Sequence, residues 1–185
     1  EISMKHIAIT LLGATLFAAA TAQTPPHFSP KGKQPSATTV TQQEALRKSL
    51  PLADKLDFEE ARRGFIGAPG YRKIMADAGN VAWDMGSYDW LLQGKDFNSI
   101  HPSLQRQAVL NMEYGLYEVV PGKIYQIRGF DLANISFVRG ETGWILFDVG
   151  TTKETARAAL EFVNEKLGKR PVVAVVYSHA HADHF

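Results

Sequence analysis

The run Ser178-His179-Ala180-His181-Ala182-Asp183-His184-Phe185 concentrates the residues of this chain best suited to chemistry. Imidazole nitrogen and carboxylate oxygen are ligands for borderline divalent ions such as zinc. His179 and His181 are two apart, so in an extended turn their rings point the same way and share one cation, leaving Asp183 and His184 to face a second. Two ions a few ångströms apart would bridge a water, lower its pKa towards neutrality and make hydroxide available at ordinary pH. A purification tag or a solvated loop is the bland alternative. Against it, three of only six histidines fall within the last seven residues, in the order His-x-His-x-Asp-His, directly after an apolar run.

The rest of the composition narrows the chemistry. The 185 residues include no cysteine, which excludes disulfides, thiolate metal sites and cysteine nucleophiles. Hydrophobic residues make up 45% and charged residues 21%, the balance of a chain with a buried core. With 20 basic and 19 acidic residues, a net charge of +1 and no run of one sign, nothing marks a nucleic-acid partner.

The elements that must position the motif are readable backwards from it. Pro171 introduces Val172 to Tyr177, a continuous apolar run of the kind found in a strand buried on both faces. The motif therefore sits at the C-terminal end of a strand, where α/β proteins collect their functional groups. Upstream, Thr151 and Glu154 form a capping box, Ala156, Leu160, Val163 and Leu167 form an apolar stripe, and Gly168 stops the helix they predict. Before it, Leu116–Val120, Ile124–Arg128, Ile135–Arg139 and Trp144–Val149 read as an antiparallel meander punctuated by Pro121-Gly122, Gly129, Gly140 and Gly143. Asp148 lies at the end of the last of these runs. It reads as an ordinary turn aspartate ahead of a helix, whereas the family that the histidine motif resembles implies a carboxylate that supports the metal loop from behind its ligands.

The N-terminal part is less patterned. Residues 1–22 contain a secretory signal from Met4, with Lys5, the apolar run Ile7–Ala20 and the small-x-small pattern Ala20-Thr21-Ala22, which predicts cleavage near Gln23 and no stable membrane anchor. Residues 23–41, with Pro25, Pro26, Pro30 and Pro35, predict a flexible leader. Residues 42–114 predict one or two short helices broken at Pro51, Gly64 and Pro69-Gly70, then a helix over Pro102–Met112. This region also carries Trp83, Tyr88, Trp90, Phe97 and Tyr114, which either pack together or wall an apolar substrate channel.

The histidine motif resembles the signature of the metallo-β-lactamase superfamily. The stretches Gly115–Val119, Ile124–Asn134 and Thr142-Gly143-Trp144, with Ala61–Ile66 and Trp83-Asp84-Met85 upstream, resemble its linear primary alkyl sulfatases, the dodecyl-sulfate hydrolases of bacteria. The resemblance implies an α/β (α+β) fold, the first half of an αββα sandwich over residues 115–185, preceded by the helical region. It implies two zinc ions, with His179 and His181 on one, Asp183 and His184 on the other, and Asp183 also orienting the bridging hydroxide. Iron or manganese would suit the same donors. It further implies attack at carbon with sulfate leaving, an alkyl sulfate substrate, a periplasmic or secreted location and a homodimeric full-length parent. The expectation is that the remaining ligands lie beyond Phe185 and that the isolated chain is inactive. Another hydrolase of the same superfamily, acting on a lactam, thioester or phosphodiester, and a non-enzymatic product of a truncated gene are the alternatives.

Overall fold

Strict alternation of buried and half-buried side chains builds the centre of the molecule. In β5 (Ile124–Arg128) Tyr125 and Ile127 point inward, in β6 (Ile135–Arg139) Ile135 and Phe137, and in β7 (Trp144–Phe147) Trp144 and Leu146. This period of two places six large apolar side chains on one face of the sheet. Trp144 is fully buried, its ring edge-to-face with Tyr125 and Phe137 at 5.9 and 6.0 Å, and its indole N–H donates to Asn164 Oδ1 at 3.0 Å. Its one polar group is thus satisfied inside the core.

The computed structural model describes Gly32 and residues 34–185, and residues 35–185 form one compact unit. The signal segment and most of the leader lie outside the described residues. The main sheet has six strands in the order β1-β4-β5-β6-β7-β8, where β1 is Phe65–Gly67, β4 is Gly115–Val120 and β8 is Val172–Val176. Neighbours are antiparallel except β7 and β8, which run parallel and are joined by the helix α4, Lys153–Leu167. A separate hairpin, β2 (Lys73–Met75) with β3 (Val81–Asp84), contributes Ile74 to the same core, and Met85 just past it joins. The helices α1 (Ala37–Ser49), α2 (Leu56–Arg62) and α3 (Pro102–Leu110) complete the described elements together with a short 3₁₀ turn at Asp89–Gln93. Because β1 pairs with β4, residues 42–114 and 115–185 share one sheet.

The meander, the helix after it and the last strand fall where the periodicity predicts them, and several details differ. Helix α1 starts at Ala37, inside the expected leader, because Ser36 caps it by accepting from Thr39 N at 3.1 Å. Thr152, and not Thr151, caps α4, accepting from Thr155 N at 3.2 Å, since the Thr151 side chain is engaged elsewhere. The buried face of α4 is Thr155, Ala158, Ala159, Phe162 and Val163, so the expected stripe lies on its flank with Val163 in common. The run Trp144–Val149 is a strand only to Phe147, because Asp148 adopts φ +59°. Strand β8 is exposed along its whole length and not buried on both faces. A row of valines reads the same with or without a covering layer.

Candidate metal centre

The parallel pairing of β7 with β8 brings the ends of two strands side by side. Phe147 is in register with Val176, and the Asp148 N–H donates to Val176 O at 3.0 Å. From there the Asp148 carboxylate reaches over the residues that follow β8. Its Oδ1 accepts from the Ser178 N–H and its Oδ2 from the Ser178 hydroxyl, both at 2.8 Å. Oδ2 also accepts from His184 Nδ1 at 2.8 Å, and His184 N donates back to His181 O at 3.0 Å to close the loop. Asp148 is thus hydrogen-bonded to the loop at both Ser178 and His184.

These contacts dictate the tautomers. A carboxylate only accepts, so the Ser178 hydroxyl gives its proton to Asp148 and must accept from His179 Nδ1, 2.9 Å away. His179 Nε2 then presents a lone pair to His181 Nδ1 at 3.1 Å. In the same way His184, donating through Nδ1, turns the Nε2 lone pair towards Asp183 Oδ2 at 3.2 Å. The Asp183–His184 pair therefore sets two acceptors face to face, with room for a proton or a cation between them, whereas His181 meets the His179 lone pair either with its own Nδ1–H or, with that nitrogen unprotonated, across a shared cation.

A divalent metal fits the donors. Two ring nitrogens bound to one tetrahedral zinc at about 2.0–2.1 Å lie about 3.3 Å apart, close to the His179–His181 separation. The rings crowd together, with His179 centred 4.0 Å from His184 and 4.6 Å from His181. Among the described residues no group of three such side chains is poised on a single ion, so each pair offers two donors where catalytic zinc takes three. His101 is not a further candidate, because its Nδ1 accepts from Ser103 N at 3.2 Å to cap α3. His6 and His27 lie outside the described residues.

Electrostatics reinforce the arrangement. Burial pushes the Asp148 carboxyl up, but the Ser178 amide, the His184 ring and the Ser178 hydroxyl together outweigh it and hold the group below the ordinary carboxylate value. The hydrogen bond to Asp148 raises His184 above the usual histidine value despite some desolvation, with the charge of Asp183 adding to it.

Two further features lie outside the histidine loop. A cavity of about 960 Å³ is lined by Trp83, Tyr88, Trp90 and Tyr114 together with Leu104 and Leu132. Of the five aromatics singled out in the sequence, four line it, and Phe97 instead packs on Trp90 at 5.2 Å between ring centres. The loop between β5 and β6 forms part of its wall and enters β6 where Ser136 pairs with Phe147, at the end of the sheet that carries Asp148. The second feature, which sequence reasoning missed, is a buried Asp131 in that loop bonded to Thr151 and Thr155. Three polar residues far apart in sequence carry no periodic signal.

A profile of the metallo-β-lactamase superfamily matches residues 128–185, the stretch that holds β6, β7, β8 and the His-x-His-x-Asp-His loop at the end of β8. The relatives are alkylsulfatases. The chain is 46% identical over 179 residues to an (R)-specific secondary-alkylsulfatase of Pseudomonas sp., an overlap of 95% of this chain and 26% of that protein. It is 40% identical over 154 residues to a linear primary-alkylsulfatase of Pseudomonas sp., covering 83% of this chain and 23% of the relative. A Saccharomyces cerevisiae alkyl/aryl-sulfatase is 36% identical over 153 residues, again 83% of this chain and 24% of the relative. The solved structure of a stereoselective inverting sec-alkylsulfatase from Pseudomonas sp. superposes with a TM-score of 0.76 at 48% identity, covering 83% of this chain and 24% of that one. The chain spans about a quarter of the length of the relatives it matches.

Proposed function

We propose that these residues serve the metal-dependent hydrolysis of alkyl sulfate esters to alcohol and inorganic sulfate. The observation that carries the reading is the close approach of two donor pairs, His179 with His181 at 3.1 Å and Asp183 with His184 at 3.2 Å, held at the end of β8 in a chain similar to alkylsulfatases. We assign one zinc ion to each pair. Bound there, divalent metal supplies the Lewis acidity that turns water into a nucleophile at neutral pH.

The protein's own contribution is orientation. Asp148 holds His184 with Nε2 outward, and Ser178 holds His179 with Nε2 outward, so neither ring loses rotational freedom only when metal arrives. We assign the alkyl tail to the aromatic cavity, whose volume lies within the range of ligand pockets. The related proteins act on primary and on secondary sulfates by their names, and both classes belong in the test. Residues 4–22 fit a role outside the cytoplasm as an export signal, and the assembled enzyme is read as a homodimer.

Two experiments test the reading. The purified chain is titrated with zinc and with cobalt, and it should take up metal without turnover, because each ion finds two donors here. Fused to the downstream part of the Pseudomonas secondary-alkylsulfatase, it should release sulfate from dodecyl sulfate or from a secondary alkyl sulfate, and a chelator should abolish the release. A fusion that cleaves a lactam, thioester or phosphodiester and leaves both sulfates intact would replace this function with another of the superfamily.

A further inference from the structure

Asp148 cannot hold its own conformation. At φ +59° it occupies the left-handed region, which costs a residue with a Cβ about 1 kcal/mol or more, so the surrounding chain must fix it. On its N-terminal side β7 does this. On its C-terminal side the turn Val149-Gly150-Thr151 belongs to no strand, with Val149 half-buried, Gly150 buried and Thr151 exposed.

What grips that turn is Asp131, a carboxylate only 4% exposed, in the loop between β5 and β6. Its Oδ2 accepts from Thr151 N at 2.9 Å, and the Thr151 hydroxyl lies 2.7 and 2.8 Å from its two oxygens. The Thr155 hydroxyl, in the first turn of α4, also bonds Oδ2, and Leu132 N donates to Oδ1 at 2.6 Å. Gly150 passes so close that a Cβ there would lie 2.7 Å from Asp131 Oδ2, at a φ of +79° that itself favours glycine. A buried charge surrounded by donors on three elements is costly to disturb. It is also a fixed point from which the Asp148 turn is hung.

We infer that Asp131 is a positioning residue of the metal centre: by clamping Gly150 and Thr151 it holds Asp148 where its carboxylate grips Ser178 and His184. Asp131 touches none of the candidate ligands and acts through the backbone of the turn. The positioning itself stands on the hydrogen bonds, whereas its consequence for metal rests on the function proposed above.

The test compares Asp131→Asn in the full chain with Val163→Ala, a core truncation on the buried face of α4, two turns past Thr155, that weakens the fold without touching the turn. Exchange of the Ser178 amide, which donates to Asp148, is read in the metal-free protein, with the His184 ring nitrogen signals beside it. D131N puts an N–H₂ in place of one of the two acceptor oxygens, and it should speed Ser178 exchange by about tenfold or more and shift the His184 ring signals. V163A should move neither, because an exposed loop exchanges by local opening. Unchanged exchange in D131N, or equal acceleration in V163A, overturns the inference. Should D131N fail to fold, Thr151→Val removes one hydroxyl from the clamp and should give a smaller acceleration in the same amide. Cobalt titration forms a separate arm: D131N should bind about 10–100-fold more weakly than the parent chain. A parent chain that takes up no cobalt would sink the metal reading, and the exchange data would still decide the role of Asp131.

Discussion

Asp148 and His184 stand 36 positions apart in the chain and 2.8 Å apart in space, joined from Oδ2 to Nδ1. A histidine that spends Nδ1 on a carboxylate keeps Nε2 for a metal, in a fixed ring orientation and with raised basicity. The same carboxylate holds Ser178, and through it the tautomer of His179, so one side chain organises both donor pairs.

Asp148→Asn should therefore weaken metal binding by about 10–100-fold. The amide offers one acceptor where the carboxylate offered two, and its N–H₂ opposes the Ser178 or His184 donor. Competition of the purified variant against a chromogenic chelator measures the loss. Affinity equal to that of the parent chain would mean that Asp148 is only a turn residue.

The two donor pairs predict separable metal uptake. Replacing His181 with Ala dismantles the pair with His179 and leaves Asp183 beside His184 at 3.2 Å. Cobalt stoichiometry by titration should fall from two towards one, and His101→Ala should leave it unchanged. Loss of both ions on a single substitution would show that the pairs form one interdependent site.

How much of this was legible beforehand follows from the range of each interaction. The His-x-His-x-Asp-His loop, the meander and α4 depend on local spacing, and spacing is what a sequence displays. Asp131, Thr151 and Thr155 meet across 20 to 24 positions, and a lone Asp in Gly129–Asn134 gives no sign of its partners. The short strands β1, β2 and β3 are not legible either, since β1 and β2 have three residues each, too few to display a period, and β3 does not alternate. The apolar run of β8 marked a strand correctly, but a strand's sequence does not say whether both faces are covered.

Gly143 is a point where a single methyl should be felt. A Cβ there would lie 2.4 Å from Pro171 O and 2.7 Å from a Val173 methyl, pushing the start of β7 away from β8 beside the bond from Trp144 N to Pro171 O. Gly143→Ala should cost about 1–3 kcal/mol by overpacking. In a domain of this size that is a fall in melting temperature of about 2–4 °C per kcal/mol. A variant melting with the parent chain would mean that the β7–β8 pairing yields without cost.

Asp77 gives a pH test outside the metal loop. The hydrogen bond from Lys153 at 2.6 Å, then the charges of Lys153 and Arg157, hold its carboxyl below the ordinary value of 3.8. A carboxyl whose folded value is depressed contributes stability above its unfolded value and loses it as pH falls through the folded one. Asp77→Asn should therefore melt slightly below the parent at pH 7, and the gap should close as the pH is taken below 3.8. The pair is exposed, so added salt should shrink the gap at neutral pH as well. A gap that persists unchanged into acid would assign the effect to packing of the β2–β3 hairpin on α4 and not to charge.

Strand β8 ends the strand order of the main sheet, and its side chains are exposed on both faces, with Val173 at 49% and Tyr177 just after it at 55%. An exposed strand edge rich in valine, without an interior charge or proline, is a template for pairing with another chain. The 185-residue protein should therefore associate with rising concentration in sedimentation experiments. Val173→Lys places a charge on that edge, and Val163→Ala weakens the core elsewhere. If β8 is the sticky element, V173K should stay monomeric at concentrations where the parent associates, while V163A should associate at least as readily as the parent. Parallel behaviour of all three proteins would move the association to another surface, and a monomeric parent at every concentration would show that β8 does not pair at all.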